Sequence, residues 1–395
     1  MIRTIEVEGF KSIASQKLEL GRLNCFIGAN GVGKSNVLEA IGVLGAAANG
    51  RVDDEAIQRR GVRAGVPRLY KASFEKGRIP PEIALSATTD AGSTFRVSLL
   101  NPLDKPQPAW SFKTETLLQG SEAIVSRGVR TDKSNLADTA GLAALESVNM
   151  PAGSPAATLL STLQEFAIYC PNTPTLRGIV PDLQMRAPVG LSGGGLAQAI
   201  DFFLQSDERK NYSEWLEGIC DDLLDWVQSI ATSDATTSVL SSSVPRTGRV
   251  LQFTDRFMRK ERNTLTAYDA SEGALYVLFA AILCVSEFSP KLLAIDNLDQ
   301  ALNPRMVTRL AERLAHWLEA SDRDRQLLFT AHNPAILDGL DLTDDEVRLF
   351  AVDRNNLGHT CIRRLELTEE LRPKLEQYPL SRLWMMGALG AVPNV

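Results

Sequence analysis

The sequence predicts an α/β fold on three observations. A glycine-rich turn, Gly28-Ala29-Asn30-Gly31-Val32-Gly33-Lys34-Ser35, stands between a short apolar run and a segment of helical periodicity. Short apolar runs alternate with helical patterns through the last third of the chain, as they do where helices cover a buried sheet. The composition, 44% hydrophobic and 23% charged over 395 residues, fits a globular chain and argues against disorder or a coiled-coil rod.

The elements follow in order. Residues 2–7 and 16–20 alternate between apolar and polar side chains and read as strands, and 23–27 reads as a short buried strand ending at Gly28. Val37, Leu38, Ile41 and Leu44 recur at helical spacing, which predicts a helix from Lys34 to about Ala46. Two alternating stretches between Glu82 and Leu100 flank Asp90-Ala91-Gly92-Ser93 and predict a hairpin. Residues 105–155 are rich in Pro, Gly, Ser, Thr and Ala with weak periodicity, so loops and short pieces are expected there. Helices are expected at 157–166, 196–206 and 215–230, then strands at 238–244 and 249–253. The last third reads helix 271–285, strand 292–295, helix 305–318, strand 327–330 and strand 347–352.

Charge and composition exclude several classes. With 42 Lys plus Arg against 48 Asp plus Glu, the net charge of −6 gives no overall positive field toward DNA or acidic lipid, so any such contact needs a local patch. Five cysteines without CxxC spacing fit reduced thiols rather than a disulfide or zinc framework, and three histidines leave little for a His-rich metal site. No leader pattern opens the sequence and its apolar runs fall short of the ~18 residues of a membrane span, so a cytoplasmic protein without a membrane partner is expected.

The glycine-rich turn matches G-x-x-x-x-G-K-[ST] in the strand-to-helix context that such a phosphate loop requires. Gly28, Asn30, Gly31 and Gly33 would let backbone N–H groups turn toward phosphate oxygens. Lys34 would neutralise the β and γ phosphates, Ser35 would offer its hydroxyl to Mg²⁺, and Asn36 opens the helix behind them. A chance glycine turn is the alternative. The magnesium also needs a carboxylate at the end of a buried strand, and Leu292-Leu293-Ala294-Ile295-Asp296 supplies Asp296.

Asp296 lies 262 positions beyond Lys34, too far for a small GTPase. Between and after them come Ser271-Glu272-Gly273 opening an apolar helix, Gln300-Ala301-Leu302-Asn303, and Thr330-Ala331-His332-Asn333-Pro334 ending the next strand. That order resembles the ATP-binding-cassette ATPases of the SMC, RecF and OLD branch: P-loop, signature helix, Walker B, D-loop and switch histidine, covering roughly residues 1–50 and 265–355. The resemblance implies an ABC-ATPase head, with a P-loop core sheet, an antiparallel β-subdomain and an inserted helical lid. It implies an N-terminal half at 1–104, a mainly helical insertion at 105–235, a C-terminal half at 236–366 and a helical tail at 367–395. ATP and Mg²⁺ are the implied cofactors. Ser271, Glu272 and Gly273 would meet the γ-phosphate held by a second copy, giving a homodimer or larger assembly, and His332 would touch that phosphate or the attacking water. Leu191-Ser192-Gly193-Gly194-Gly195 looks more like a transporter signature but stands about 100 positions before Asp296, and reads better as a turn ahead of the helix at Leu196.

The family usually places Glu after the Walker B Asp, where this chain has Asn297. An amide cannot take a proton from water, so slow hydrolysis is expected unless Asp299 substitutes. Only 63 residues follow His332, too few for the Toprim nuclease domain of OLD-type proteins, and no long heptads mark an SMC arm. What remains resembles the ATPase subunits of bacterial anti-phage systems of the PtuA and AriA type, which act beside a separate nuclease or toxin. A RecF-like repair ATPase that binds DNA is the second reading, and a degenerate ATP-binding structural subunit the third.

Four weaker features stay open. Lys11-Ser12 resembles a position near the nucleotide or is an exposed turn. Arg256, Arg259, Lys260 and Arg262, with a smaller group at Arg59, Arg60 and Arg63, could hold a phosphate backbone or form solvated faces. Leu383-Trp384-Met385-Met386 could dock on a partner or fold back on the core.

Overall fold

The computed structural model describes residues 1–128, 136–206, 209–235, 240, 248–321, 324–369 and 371–389. The chain opens with β1 (Ile2–Phe10) and β2 (Ile13–Glu19), paired antiparallel, and then crosses to a second sheet as β3 (Leu23–Ile27), buried along its whole length. The glycine-rich turn follows and leads into α1 (Lys34–Ala48). The chain returns to the first sheet as β4 (Glu82–Thr89), β5 (Ser93–Leu100), β6 (Ser111–Gln119) and β7 (Glu122–Arg127), in the order β2-β1-β4-β5-β6-β7. This is the antiparallel β-subdomain.

The second sheet is the core. After α2 (Pro155–Glu165), β8 (Ala167–Tyr169) takes one edge of it. Helices α3 (Leu196–Gln205) and α4 (Arg209–Leu223) then lead to a small antiparallel sheet of β9 (Val227–Asp234), β10 (Arg249–Asp255) and β11 (Thr264–Thr266). Next come α5 (Glu272–Val285), β12 (Leu292–Ile295), α6 (Pro304–Ala320), β13 (Gln326–Ala331), β14 (Val347–Arg354), β15 (Thr360–Leu365) and α7 (Leu380–Met385). The core order is β15-β14-β3-β13-β12-β8, parallel except where β14 meets β15.

Buried polar groups hold these layers in register. Gln326, 1% exposed, accepts from the Ile2 N–H at 2.7 Å and donates to the carbonyls of Ile2 and Gly21, joining the two large sheets. Arg325, fully buried, donates to the carbonyls of Cys284 and Ser286 at the end of α5, where the helix leaves acceptors unpaired and favours a cation. Helix α5 is apolar on nearly every side because it packs between the core sheet and the helices around it.

Three expectations need correction. The stretch 105–155 supplies β6 and β7, and not only loops: Phe112, Leu117 and Val125 are buried, but so are Glu115 and Arg127, which pair with each other, so the inward face carries charges that break the apolar alternation. The expected lid segment likewise contributes β6 to β9, with β8 paired to β12 in the core sheet. The helix expected at 215–230 is α4 shifted toward the N-terminus, and the chain is a strand again from Val227. The strand expected at 238–244 falls almost wholly outside the described residues.

Candidate active site

Strand register assembles the site. Ile27 stands opposite Ala331 on one side and Ala351 on the other, and Ile295 opposite Phe329 and Tyr169. The residues just beyond these ends, Gly28, Asp296, His332 and Cys170, therefore leave the sheet along one carboxyl-terminal edge, where open α/β sheets bind ligands.

The turn between β3 and α1 needs its glycines. A Cβ at Gly28 would lie 2.1 Å from the Val352 carbonyl oxygen, and one at Gly33, whose φ is 109°, would lie 2.3 Å from Thr360 Oγ1. Lys34 is 5% exposed, and its ammonium donates to the carbonyls of Gly28 (2.7 Å) and Ala29 (2.9 Å). Burial pulls its pKa down to about 8, against the attraction of Asp296 and Asp299. Asn36 donates to Ser12 Oγ (2.7 Å), Ser12 and Thr360 share a 2.7 Å hydroxyl contact, and Thr360 Oγ1 donates to the Val32 carbonyl (2.6 Å). Asn36 is thus spent on bracing the turn. Lys11-Ser12 is neither exposed nor free: Ser12 is buried, and Lys11 pairs with the buried Glu39.

Asp296 is the hub. Its Oδ1 accepts from Ser35 Oγ (2.9 Å) and Thr330 Oγ1 (2.6 Å), while Thr330 Oγ1 accepts from the Asn297 N–H (2.8 Å). The hydroxyl and carboxylate are hard oxygen donors side by side, as Mg²⁺ takes when phosphates and water complete its shell. Asn297 has φ 57°, a left-handed conformation that Asn tolerates better than Glu, so the amide at this position has a backbone reason as well as a chemical consequence.

His332 links the two halves of this edge. Its Nδ1 lies 3.2 Å from Lys34 Nζ and its Nε2 lies 3.0 Å from Asn297 Oδ1. The ammonium can only donate, so the network assigns a neutral imidazole protonated on Nε2 and donating to the amide oxygen. Partial burial and the Lys34 charge keep the imidazole below its ordinary pKa. Asp299 is 9% exposed and its Oδ2 accepts the backbone N–H groups of His332 (2.8 Å) and Asn333. That oxygen positions the His332 turn.

Ser271 caps α5, accepting from the Ala274 N–H at 3.4 Å. Ser271 and Glu272 are exposed, whereas a Cβ at Gly273 would meet Met306 Sδ at 3.2 Å and Leu302 Cδ2 at 3.4 Å, so this helix start stands beside the 300–306 loop. Among the described residues no hydrogen bond joins 271–273 to 28–36. Asn303 caps α6 through the Met306 N–H (3.0 Å), and Ala301 carries a φ of 62°. Asn30 is exposed at the mouth of the turn, beside Gly31 with a φ of 76°.

Two further residues stand near the site: Cys170, which carries no functional signal in the sequence, and Arg63, which reads there only as part of a basic group. Cys170 follows β8, and burial together with Asp296 raises its pKa. Arg63 donates to Glu39 Oε1 at 2.6 Å and stands in the field of Asp296. Of its former group, Arg60 is buried and donates to the carbonyls of Ala56 and Gln164, so it forms no patch. The 191–195 turn is held by Asp182, which accepts from the N–H of Ser192 (2.8 Å) and Gly194 (3.3 Å), and it braces the end of β8 through Cys170. Leu383 and Trp384 of the tail are buried in the main core.

A phosphate loop on the central strand of a mainly parallel sheet, with a hydroxyl and a carboxylate beside it, defines a P-loop ATPase head. Comparison with known proteins agrees. A family model described as "AAA ATPase domain" matches residues 1–62, and one described as "AAA domain, putative AbiEii toxin, Type IV TA system" matches residues 206–338. Among solved structures, the chain resembles an Smc head bound to the C-winged helix domain of ScpA, with 14% identity, a TM-score of 0.53, and 93% of this chain and 98% of that one covered. It also resembles an Smc head domain with an extended coiled coil, bound to the C-terminal domain of ScpA derived from Pyrococcus furiosus, with 14% identity, a TM-score of 0.54, and 95% and 98% covered. The fold is that of the SMC heads, and the two family matches support an ATPase domain of the AAA type. No helix among the described residues is long and apolar enough to cross a membrane.

Proposed function

We infer that this chain is an ATP-binding subunit whose nucleotide site is completed by a second copy and turns over slowly. The observation that carries the slow turnover is the contact of His332 Nε2 with Asn297 Oδ1 at 3.0 Å. That bond takes one lone pair of the side-chain oxygen and leaves the NH₂ group as a donor, and an amide is in either case no proton acceptor for water. A water at that place can be oriented but finds no base on Asn297.

The roles of the chain's own groups follow. Backbone N–H groups from Gly28 to Ser35, at the start of α1, receive phosphate oxygens, and Lys34 moves its charge from the Gly28 and Ala29 carbonyls to the β and γ phosphates. Ser35 and Asp296 would hold Mg²⁺, which would screen phosphate charge. Ser271 and Glu272, with Gly273 buried behind them, present a capped helix start without a role in their own chain's phosphate turn. A second copy's γ-phosphate is the partner that suits such a helix end.

The finer reading is a subunit of an anti-phage defence complex that regulates a separate nuclease or toxin. It rests on the resemblance around residues 295–304 and in the tail. The RecF-like reading is not favoured by the relatives found.

Single-turnover ATP hydrolysis tests the central claim. Asn297→Glu restores a base at a backbone cost of about 1 kcal/mol, and Asn297→Asp does so with less strain. The better of the two is expected to hydrolyse on the order of 10²-fold faster than the wild type. A wild-type rate matching both variants overturns slow turnover by Asn297.

A further inference from the structure

We propose that a ring pair, Phe74 and His359, stacks on the base of the bound nucleotide, so that the site selects a purine nucleoside triphosphate over polyphosphate alone. This rests on the nucleotide site inferred above and assigns its nucleoside end.

The sheet gives the nucleotide a direction. The phosphate turn follows β3, which is flanked by β13 and then β12 on one side and by β14 and then β15 on the other. Asp296, Thr330 and His332, which mark the end for Mg²⁺ and the terminal phosphate, lie on β12 and β13 or just beyond them. A triphosphate with its terminal group on that flank crosses the start of α1, and its nucleoside end emerges on the flank of β14 and β15.

On that flank the β14–β15 hairpin stands against the turn. Thr360 N–H donates to the Ser12 carbonyl (2.7 Å), and Thr360 Oγ1 donates to the Val32 carbonyl (2.6 Å). The hairpin tip is fixed by Asn355, whose Oδ1 accepts from the N–H groups of Leu357 and His359 (both 3.0 Å) and whose own N–H donates to the His359 carbonyl (3.0 Å). The His359 ring, one residue before Thr360, has its centroid 4.1 Å from that of Phe74, with the planes 51° apart.

Phe74 is an aromatic residue with no place in the core. It belongs to neither apolar cluster, and its neighbours Ser73 and residues 75–79 are exposed. Among the described residues its one ring partner is His359. The loop that carries it is pinned at both ends beside the β1–β2 turn: Ala72 N–H donates to the Gly9 carbonyl (2.8 Å), and Lys71 Nζ donates to the Pro81 carbonyl (2.5 Å). Lys11 of that turn is tied to Glu39, which leaves the rings as the groups on offer to a base. A purine supplies the flat apolar face that this pair lacks, and base stacking on an aromatic side chain strengthens binding on the order of tenfold.

Binding of ATP, CTP and inorganic tripolyphosphate to the full chain with Mg²⁺ tests the proposal, together with the fluorescence of 2-aminopurine riboside triphosphate, which is quenched on stacking. The wild type is expected to bind ATP about tenfold more tightly than tripolyphosphate, with CTP between them, and to quench the fluorophore. Phe74→Ala and His359→Ala should each weaken ATP by roughly tenfold, hold tripolyphosphate within about twofold and lose quenching, whereas Phe74→Trp keeps all three properties. The melting temperature of Phe74→Ala should match that of the wild type, because the ring lies outside both clusters. Tripolyphosphate bound as tightly as ATP by the wild type overturns the stacking site and leaves the phosphate site standing, as do ATP affinity and quenching unchanged in both alanine variants. An equal loss of ATP and tripolyphosphate in those variants also overturns it, since the rings then only support the fold. A wild type that binds none of the three overturns the nucleotide site itself, and the stacking site with it.

Discussion

The two halves of the nucleotide machinery are finished to different degrees within one chain. Around Lys34 the buried side chains are wired together: carbonyls of the turn, His332, Asp296 and Thr330 form one continuous network. Around Ser271 the side chain caps its own helix and the rest faces outward, beside a loop that holds Ala301 in a left-handed conformation. On the function proposed above, the contrast separates a turn built to receive phosphate within one chain from a surface that would acquire a role only against another molecule. Buried polar groups must be paired within the chain, whereas exposed ones can wait for a partner.

Breaking the wired half should have the largest effect. Lys34→Ala removes the only ammonium in the turn and is expected to weaken ATP binding on the order of 100-fold, read by calorimetry or displacement of a fluorescent nucleotide. Retained affinity would place the phosphates elsewhere. Changing the other half should do the opposite: Ser271→Arg is expected to leave ATP affinity of the monomer within about twofold while weakening ATP-driven dimerisation by about tenfold or more, read by mass photometry with and without Mg²⁺ and ATP.

A smaller effect comes from titration. Lys34 loses its proton near pH 8 in the folded chain and near pH 10.5 in the unfolded one, so the folded state holds that proton less tightly. Its burial therefore lowers the stability of the nucleotide-free chain below about pH 8, and this loss fades as pH rises toward 10.5. ATP affinity should run the other way, falling as pH rises through 8, because the neutral amine no longer offsets phosphate charge. Thermal melts and binding isotherms from pH 7 to about 10 check the two opposite slopes. Smallest of all, Ala301→Gly should relieve a left-handed alanine and stabilise the chain by up to about 1 kcal/mol in denaturant unfolding. A destabilised variant would mean that packing, and not backbone strain, dominates this loop.

Much of the site was legible because its signals are local. A phosphate turn needs glycines at fixed offsets, a capped helix needs Ser271 or Asn303 just ahead of it, and an apolar tetrad before Asp296 marks a buried strand. Asn297 could be read as a missing base from the resemblance, which places Glu after the Walker B Asp. Its left-handed backbone could not, nor could the capture of Asp299 by the His332 turn, since both depend on how 296–299 meets 330–333 in space. Thr360 left no trace at all, because a single threonine gains its place against Ser12 only when β14 and β15 fold back on the opening strands. The strands at 111–127 were hidden for a related reason: their inward face carries Glu115 and Arg127, which pair with each other and break the apolar alternation.

The sequence by itself determined the chemistry on offer: a phosphate turn, an acid for magnesium, a histidine, and an amide where a base could stand. These are properties of short segments, whose spacing dictates local geometry. Tertiary structure decided which groups are spent and which are free. It bonded Asn36 to Ser12 and Asp299 to the backbone of His332, set His332 between Lys34 and Asn297, and left Ser271 and the β10–β11 tip facing outward. The physical reason is register: parallel pairing of β3, β13, β12 and β8 brings residues separated by hundreds of positions to one sheet edge, and no local pattern encodes such a meeting.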